Sequence, residues 1–465
     1  MDMATGRLAA SEATVDETAI QALRAAVRGA VVCPSDEGYD ASRTVFNAMI
    51  DKRPSLIVRC AGPADVIQGV AFARTHDLPL AVRGGGHSVA GKAVCDGGLM
   101  VDLSPMKGIR VDPVRRTADA QPGLLLRDLD HETQAFGLAT PLGIVSVTGI
   151  AGLTLGGGIG WLNGKHGLAC DNVLSADVVT ADGQLLTASS TQEEDLYWGI
   201  RGGSGNFGVV TSFTYRLHPV GPVLGGPLLY PFTQAREVLR LYHEFASTCP
   251  DELSTVAVFA ADPDGNPVVA IVACYCGAIE TGEQVLRPLR GFGMPLADLI
   301  QPMAYGAMQR MFDADFPAGR QQYWRSGWLT DLSDDAIEIL LRFVAEKPSP
   351  ATPVGLQQIH GAASRVDPTA TAFPHRGQQY ELLILSQWAD PADSAKNVEW
   401  TRAFFEAMQP FLGRGVYVND LGEEGEDRVK AAYGTNYERL VAVKNKYDPT
   451  NFFRVNHNIK PTARR

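Results

Sequence analysis

The chain has 465 residues, of which 45% are hydrophobic and 20% charged, and a formal net charge of −11. That length suits two or three globular domains with sizeable cores, and the acidic balance excludes a nucleic-acid binder built on a basic surface. No run of ~20 apolar residues and no apolar leader core is present, so a cytoplasmic chain with no membrane partner is expected, and its seven cysteines are expected to be reduced.

In chain order, helical spacing marks residues 16–31 and 39–52, the second ended by Pro54. Residues 55–60 read as a strand, 63–76 as a helix with Pro63 in its first turn, and 78–82 as a short buried strand. Arg83-Gly84-Gly85-Gly86-His87-Ser88 follows at once. Residues 99–103, 109–112 and 117–120 resemble consecutive strands, and 124–133 a helix with Gly137 as its C-cap. Residues 176–180 and 185–188 flank Asp182-Gly183, a hairpin signal, and 207–217 form another strand. Three prolines and several glycines over 219–227 mark a domain boundary.

Beyond it, helices are predicted over 233–245, 278–289, 334–345 and 395–408. Strands are predicted over 253–259, 268–276, 328–332, 355–360 and 379–387, the first two around Asp264-Gly265. This alternation implies helices packed on one face of an antiparallel sheet. A last helix spans 429–447. The cysteines show no C-x-x-C spacing, and no metal site is expected.

Glycine clusters carry the chemistry. A triple glycine lets backbone N–H groups approach a phosphate with no Cβ in the way, and His87 at its edge is held beside whatever those amides bind. A second cluster runs through Gly149, Gly152, Gly156, Gly157 and Gly160, with Ile, Leu and Trp interleaved as no flexible linker would have them. A third, Arg201-Gly202-Gly203-Ser204-Gly205-Asn206-Phe207-Gly208, opens a strand. Three such turns suggest a long multi-phosphate ligand such as a dinucleotide. None fits G-x-G-x-x-G between a strand and a helix, which argues against a doubly wound dinucleotide fold.

Together these clusters, His166-Gly167-Leu168-Ala169-Cys170-Asp171-Asn172 and the tail Tyr437-Glu438-Arg439-Leu440…Tyr447-Asp448-Pro449-Thr450-Asn451-Phe452-Phe453 resemble one family. It is the berberine bridge enzyme-like branch of the vanillyl-alcohol-oxidase/PCMH-type flavoproteins, and the resemblance covers about residues 38–460. It implies an α+β fold. A two-subdomain FAD-binding domain would occupy residues 1–220, an antiparallel-sheet substrate domain 221–415, and a C-terminal segment, 416–465, would return to the FAD domain.

The resemblance also assigns roles. His87 stands where the family bonds covalently to the flavin 8α-methyl group. The family's second link, a cysteine, falls on Val145, so a single tether is expected and Cys170 reads as a packed small residue. Thr148 occupies the position that gates oxygen. Arg83, Gly84, Gly85, Gly86, Ser88, Val145, Gly149, Gly152, Gly156, Gly157, Gly160, Asn206, Gly208, Val209 and Asn456 are expected to cradle FAD.

For the catalytic base the family uses a strand in Y-x-N-Y-x-D context. Here that stretch is Gly415-Val416-Tyr417-Val418-Asn419-Asp420, with Asp420 in place of the second tyrosine. Tyr417, with its pKa lowered, is the expected base, Asn419 shares its strand face, and Gln358 is expected in the cavity beside a candidate aromatic wall of Trp161, Tyr323 and Trp324. The implied reaction is hydride transfer from an alcohol, sugar or phenolic substrate to flavin, with O2 as acceptor. A flavin-N5-oxide monooxygenase and, more remotely, a non-catalytic flavin binder remain as alternatives. Oligomeric state is not legible in the sequence.

Overall fold

The structure is a computed structural model that describes residues 15–261, 265–377 and 379–462. Strands β1 (Ala30–Val32), β2 (Leu56–Arg59), β3 (Leu80–Arg83) and β4 (Leu99–Asp102) form a sheet in the order β1-β2-β4-β3, with β2 and β3 parallel to β4. The run Leu56-Ile57-Val58 is buried on both faces, as a parallel strand requires. The crossover helix Pro63–Thr75 lays Val66, Val70 and Ala73 on that sheet.

The chain then forms β5 (Ile109–Asp112), β6 (Thr117–Ala120), a two-residue β7 (Leu138–Ala139), β8 (Val173–Val179), β9 (Leu185–Ser189), β10 (Val209–Arg216) and β11 (His218–Pro219). Five of these make an antiparallel sheet ordered β5-β6-β10-β8-β9, while β7 pairs with β11. The β8–β9 hairpin turns at Asp182-Gly183, where Gly183 has φ +84°.

Strands β12 (Val223–Pro231), β13 (Leu253–Ala261), β14 (Pro267–Tyr275), β15 (Ala297–Asp298), β16 (Gln301–Met303), β17 (Gln321–Leu329), β18 (Val354–Ile359) and β19 (Gln379–Trp388) form an eight-stranded sheet. Its order is β15-β12-β14-β13-β18-β19-β17, with β16 also on β12, and its pairs are antiparallel. The β13–β14 turn contains Gly265 at φ +87°, while Asp264 lies outside the described residues. Helices Ala235–Ala246, Asp334–Ala345 and Ser394–Met408 cover one face and pack on Leu382 and Ile384. The alternate residues Leu383 and Leu385 face the other way, toward Phe46 and Val145.

The last segment runs back across the molecule. Val416, Val418, Leu440 and Val443 share a core with Phe207, Phe213 and Tyr215, and Phe452 and Phe453 join the core of the first sheet.

Several elements differ from expectation. The helix predicted over 39–52 ends at Arg43, because the carbonyls of Ser42 and Thr44 accept from Arg83 and the chain then extends to pair Phe46 N–H with Gly86 O at 3.0 Å. The single helix predicted over 429–447 is two, Glu426–Tyr433 and Tyr437–Tyr447, broken at Gly434 with φ +46°. Residues 278–289 form two short helices, and Trp328 lies near the end of the longer β17. Part of the proline-rich boundary is itself strand β12, and residues 415–420 are not a strand but lead into a turn.

Candidate active site

A cavity of about 310 Å³ opens where the three sheets converge. Its floor is two glycine turns set back to back. β3 ends at Arg83, and Gly84, Gly85 and Gly86 carry the chain into the cavity wall. A Cβ on Gly85 would lie 2.5 Å from Gly149 Cα, and one on Gly149 equally close to Gly85 N, so neither turn tolerates a side chain there. Gly152 and Gly205 also line the cavity, yet a Cβ on either would meet nothing within 4 Å. These two glycines border space that the protein itself leaves unfilled.

His87 projects from the end of this floor. Its ring stacks on Phe46, with centroids 3.9 Å apart at 16°. Burial pushes its pKa down to about 4, so the imidazole is neutral with a free lone pair, and its Nε2 is buried without a hydrogen-bond partner. Glu381 Oε1 and Asn456 Oδ1, both on the cavity wall, are orphaned in the same way. Buried polar atoms without partners are rare in native proteins. Three around one cavity mark it as a place for a polar ligand.

At the end of the cavity bounded by the eight-stranded sheet, β19 presents Glu381 and the turn after Val418 presents Asp420. The two carboxyls interact directly. Burial and the charge of Asp420 push Glu381 well above the usual carboxylate range, and burial raises Asp420 to about 6. Such a pair titrates as a unit and holds one proton near neutral pH. Tyr417 Oη accepts from Gly158 N–H at 2.8 Å and from Asn419 Nδ2 at 2.7 Å, and Asn419 Nδ2 also reaches Leu153 O at 3.0 Å. Phe316, Trp324, Leu383 and Leu385 supply an apolar wall.

Of the residues singled out in the sequence, Gly84, Gly85, Gly86, His87, Ser88, Val145, Thr148, Gly149, Gly152, Gly208, Val209, Tyr417, Asn419 and Asn456 line this cavity. Trp324 lines it too, while Arg83, Gly156, Gly157, Gly160, Asn206, Gln358, Trp161 and Tyr323 lie elsewhere. Arg83 pairs with Asp102 at 3.4 Å and holds the carbonyls of Ser42 and Thr44. Gly156 is a glycine because a Cβ would fall 2.0 Å from Asn419 Oδ1, Gly157 packs under Phe373 at φ +132°, and Gly160 abuts Leu142 O. Asn206 clamps the tail, donating to His457 O at 3.2 Å and accepting from Ile459 N–H at 2.9 Å.

Gln358 faces away from the cavity: its amide bonds Ala246 O at 2.6 Å and Thr255 Oγ1 at 3.0 Å, and its neighbour Gln357 takes the cavity position. Tyr417 also departs from expectation. Burial together with Glu381 and Asp420 pushes its phenol well above 10, the opposite of what a base needs. Cys170 is buried beside Ile159 and Leu168. Glu381 was missed, although it is the only ionisable carboxylate along β19, a signal readable in the sequence. Lys92 and His457, also on the wall, carried no such signal.

Fold and cavity define a class: two glycine-rich α+β subdomains that share one cavity with a large antiparallel sheet. Residues 54–189 match the FAD binding domain family, and residues 416–460 the berberine and berberine-like family. An FAD-linked oxidoreductase of Dictyostelium discoideum is 35% identical over 90% of this chain and 91% of its own length. The (R)-6-hydroxynicotine oxidase of Paenarthrobacter nicotinovorans is 30% identical over 94% and 97%. The crystal structure of 6-hydroxy-D-nicotine oxidase from Arthrobacter nicotinovorans superposes with a TM-score of 0.85 at 29% identity, over 94% of this chain and 98% of that one. The chain belongs to the berberine bridge enzyme-like, PCMH-type FAD-linked oxidoreductases.

FAD fits the residues present. The back-to-back glycine turns, the unfilled space beside Gly152 and Gly205, and the orphaned Asn456 Oδ1 suit an extended polar cofactor. Among the described residues no helix is long and apolar enough to cross a membrane.

Proposed function

We propose that this enzyme is a covalent-flavin oxidase in which His87 is the sole tether, the Glu381–Asp420 pair takes the substrate proton, and O2 is the electron acceptor. FAD, when bound, supplies the two-electron chemistry: it takes hydride from substrate and passes electrons to O2, releasing H2O2. The observation that carries the reading is the neutral, unpartnered Nε2 of His87, fixed against Phe46 at the cavity edge. Only a neutral imidazole has a lone pair for carbon. Val145, on the same cavity, offers no sulfur for a second bond.

The remaining roles follow from the site. The carboxyl pair carries a single negative charge near neutral pH and accepts the proton of a substrate hydroxyl. Tyr417, neutral and already accepting two hydrogen bonds, keeps its O–H as a donor that orients substrate. Thr148 lines the cavity at the position that would admit O2. The wall of Phe316, Trp324, Leu383 and Leu385 suits a compact aromatic or phenolic alcohol better than a polyhydroxylated sugar.

Acid precipitation tests the tether. Flavin should stay with the wild-type pellet and map to a peptide containing His87, whereas His87→Ala should release FAD into the supernatant. Flavin freed from denatured wild-type protein, or mapped to a cysteine, would sink the assignment. Turnover should yield one H2O2 per product. Oxygen from O2 incorporated into product instead would replace the oxidase with a monooxygenase.

A further inference from the structure

Between β16 and β17 the substrate domain sends a segment, residues 305–316, along its seam with the FAD domain. The buried Gln309 donates from Nε2 to Gly143 O at 2.7 Å, and Tyr305 Oη holds its Oε1 at 3.3 Å. One turn further on, Asp313 accepts from Ser146 N–H at 2.8 Å and from Ser146 Oγ–H at 2.6 Å. Among the described residues Asp313 forms no ion pair; each of its oxygens accepts from Ser146.

What these two residues grip is the stretch 143–148, which presents Ile144, Val145 and Thr148 to the cavity. That stretch belongs to no helix or strand. Within the FAD domain it is held by Thr148 N–H to Val145 O at 3.1 Å, Leu126 N–H to Thr148 O at 2.9 Å, and Arg127 N–H to Ser146 O at 3.1 Å. None of these bonds reaches from the cavity side, where Gly152 leaves open space. Among the described residues, the hydrogen bonds that draw the stretch the other way come from Gln309 and Asp313, beside the packing of Val145 on Phe316, Trp324, Leu383 and Leu385.

We infer that Asp313 is a positioning residue that, through Ser146, holds Val145 and Thr148 back from the flavin and so sets the rate at which the reduced enzyme reacts with O2. This rests on the reading of Thr148 as the residue at the oxygen approach. A carboxylate accepting two donors is a stronger anchor than neutral hydrogen bonds. Without it the turn loses its anchor across the seam and shifts toward the flavin, which narrows the approach.

The test needs no substrate. Wild type, Asp313→Ala and Asp313→Asn, all loaded with FAD, are photoreduced without oxygen and then mixed with O2, and hydrogen exchange is followed over residues 143–149. In Asp313→Ala, reoxidation should slow by about tenfold and exchange in this stretch alone should speed by about tenfold, the scale of a lost hydrogen bond to a charged group. Asp313→Asn keeps an acceptor for Ser146 N–H and should stay within about threefold of wild type on both counts.

If Asp313→Ala fails to fold, Ser146→Ala replaces it, losing only the Oγ bond, with about threefold slowing expected. Unchanged reoxidation or unchanged exchange in the variant that folds, beside a wild type that reoxidises rapidly, overturns the inference alone. A wild type that fails to react with O2 overturns the oxidase reading, and the role given to Asp313 with it.

Discussion

The carboxyl pair makes the site's chemistry depend on pH, and its sign can be worked out. Asp420 titrates near 6 in the folded protein, against an ordinary value of 3.8. As pH falls through about 6 the pair gains its second proton and the base is lost, so kcat should fall about tenfold per pH unit below that point. Stability runs the other way. A carboxyl whose folded pKa is raised contributes stability that is full below its unfolded pKa and lost as pH rises through the folded one. Wild type should therefore lose part of its Tm between about pH 4 and 6, and Asp420→Asn should flatten that dependence. Asp420→Asn should lower kcat by about 100-fold or more with little change in KM, since it removes the member of the pair that is ionised near neutral pH and a general base acts in the transition state. An Asp420→Asn enzyme with wild-type kcat would return the base to an unassigned group.

At the scale of elements, the glycine turns are the most constrained parts of the chain. Gly149→Ala places a Cβ about 2.5 Å from Gly85 backbone, where no side chain can move aside. A cost of about 1–3 kcal/mol is expected, with loss of flavin retention, read from Tm and the visible spectrum. Gly152→Ala has room and should keep its Tm while weakening FAD binding, so the pair separates backbone crowding from cofactor space. These turns were legible in the sequence because their chemistry is local: dense glycine beside apolar residues admits few structures. The hairpin at Asp182-Gly183 was legible for the same reason. The substrate wall was not. Every described residue of β18 and β19 is buried, so alternation cannot show which parity faces the helices and which the cavity. Gln358 was chosen where Gln357 lines the wall, and Glu381 passed unseen. Tyr417 and Asn419 do meet at the cavity, but through the turn that begins at Val418 rather than along a strand face. That geometry depends on Gly158 and Leu153, far away in sequence.

Across the whole molecule the cavity is closed by chain ends as much as by domains. Lys444 and Asp448 form a fully buried pair at 2.7 Å. Lys444 also donates to Asn206 O and Phe453 O, and Asp448 accepts from the N–H groups of Phe452 and Phe453. This knot fixes the tail so that Asn456 and His457 reach the cavity wall. Lys444→Met would leave Asp448 buried and unpaired, a loss of about 3–5 kcal/mol. Because the cofactor would lie among the FAD-domain cores, the tail and the substrate sheet, it should act as a structural part of all three. Any ligand that binds only the folded state raises stability by about 1.4 kcal/mol for each tenfold rise in free concentration above its Kd. If His87 is the proposed covalent tether, wild type should show a Tm that added FAD leaves unchanged. His87→Ala keeps the cradle but loses the tether. It should unfold at lower temperature when desalted and regain Tm stepwise as FAD is added, with the 143–149 stretch and the tail gaining hydrogen-exchange protection together. A His87→Ala protein whose Tm ignores added FAD would mean that the cavity does not bind the cofactor by its own contacts, and that the covalent bond alone retains it.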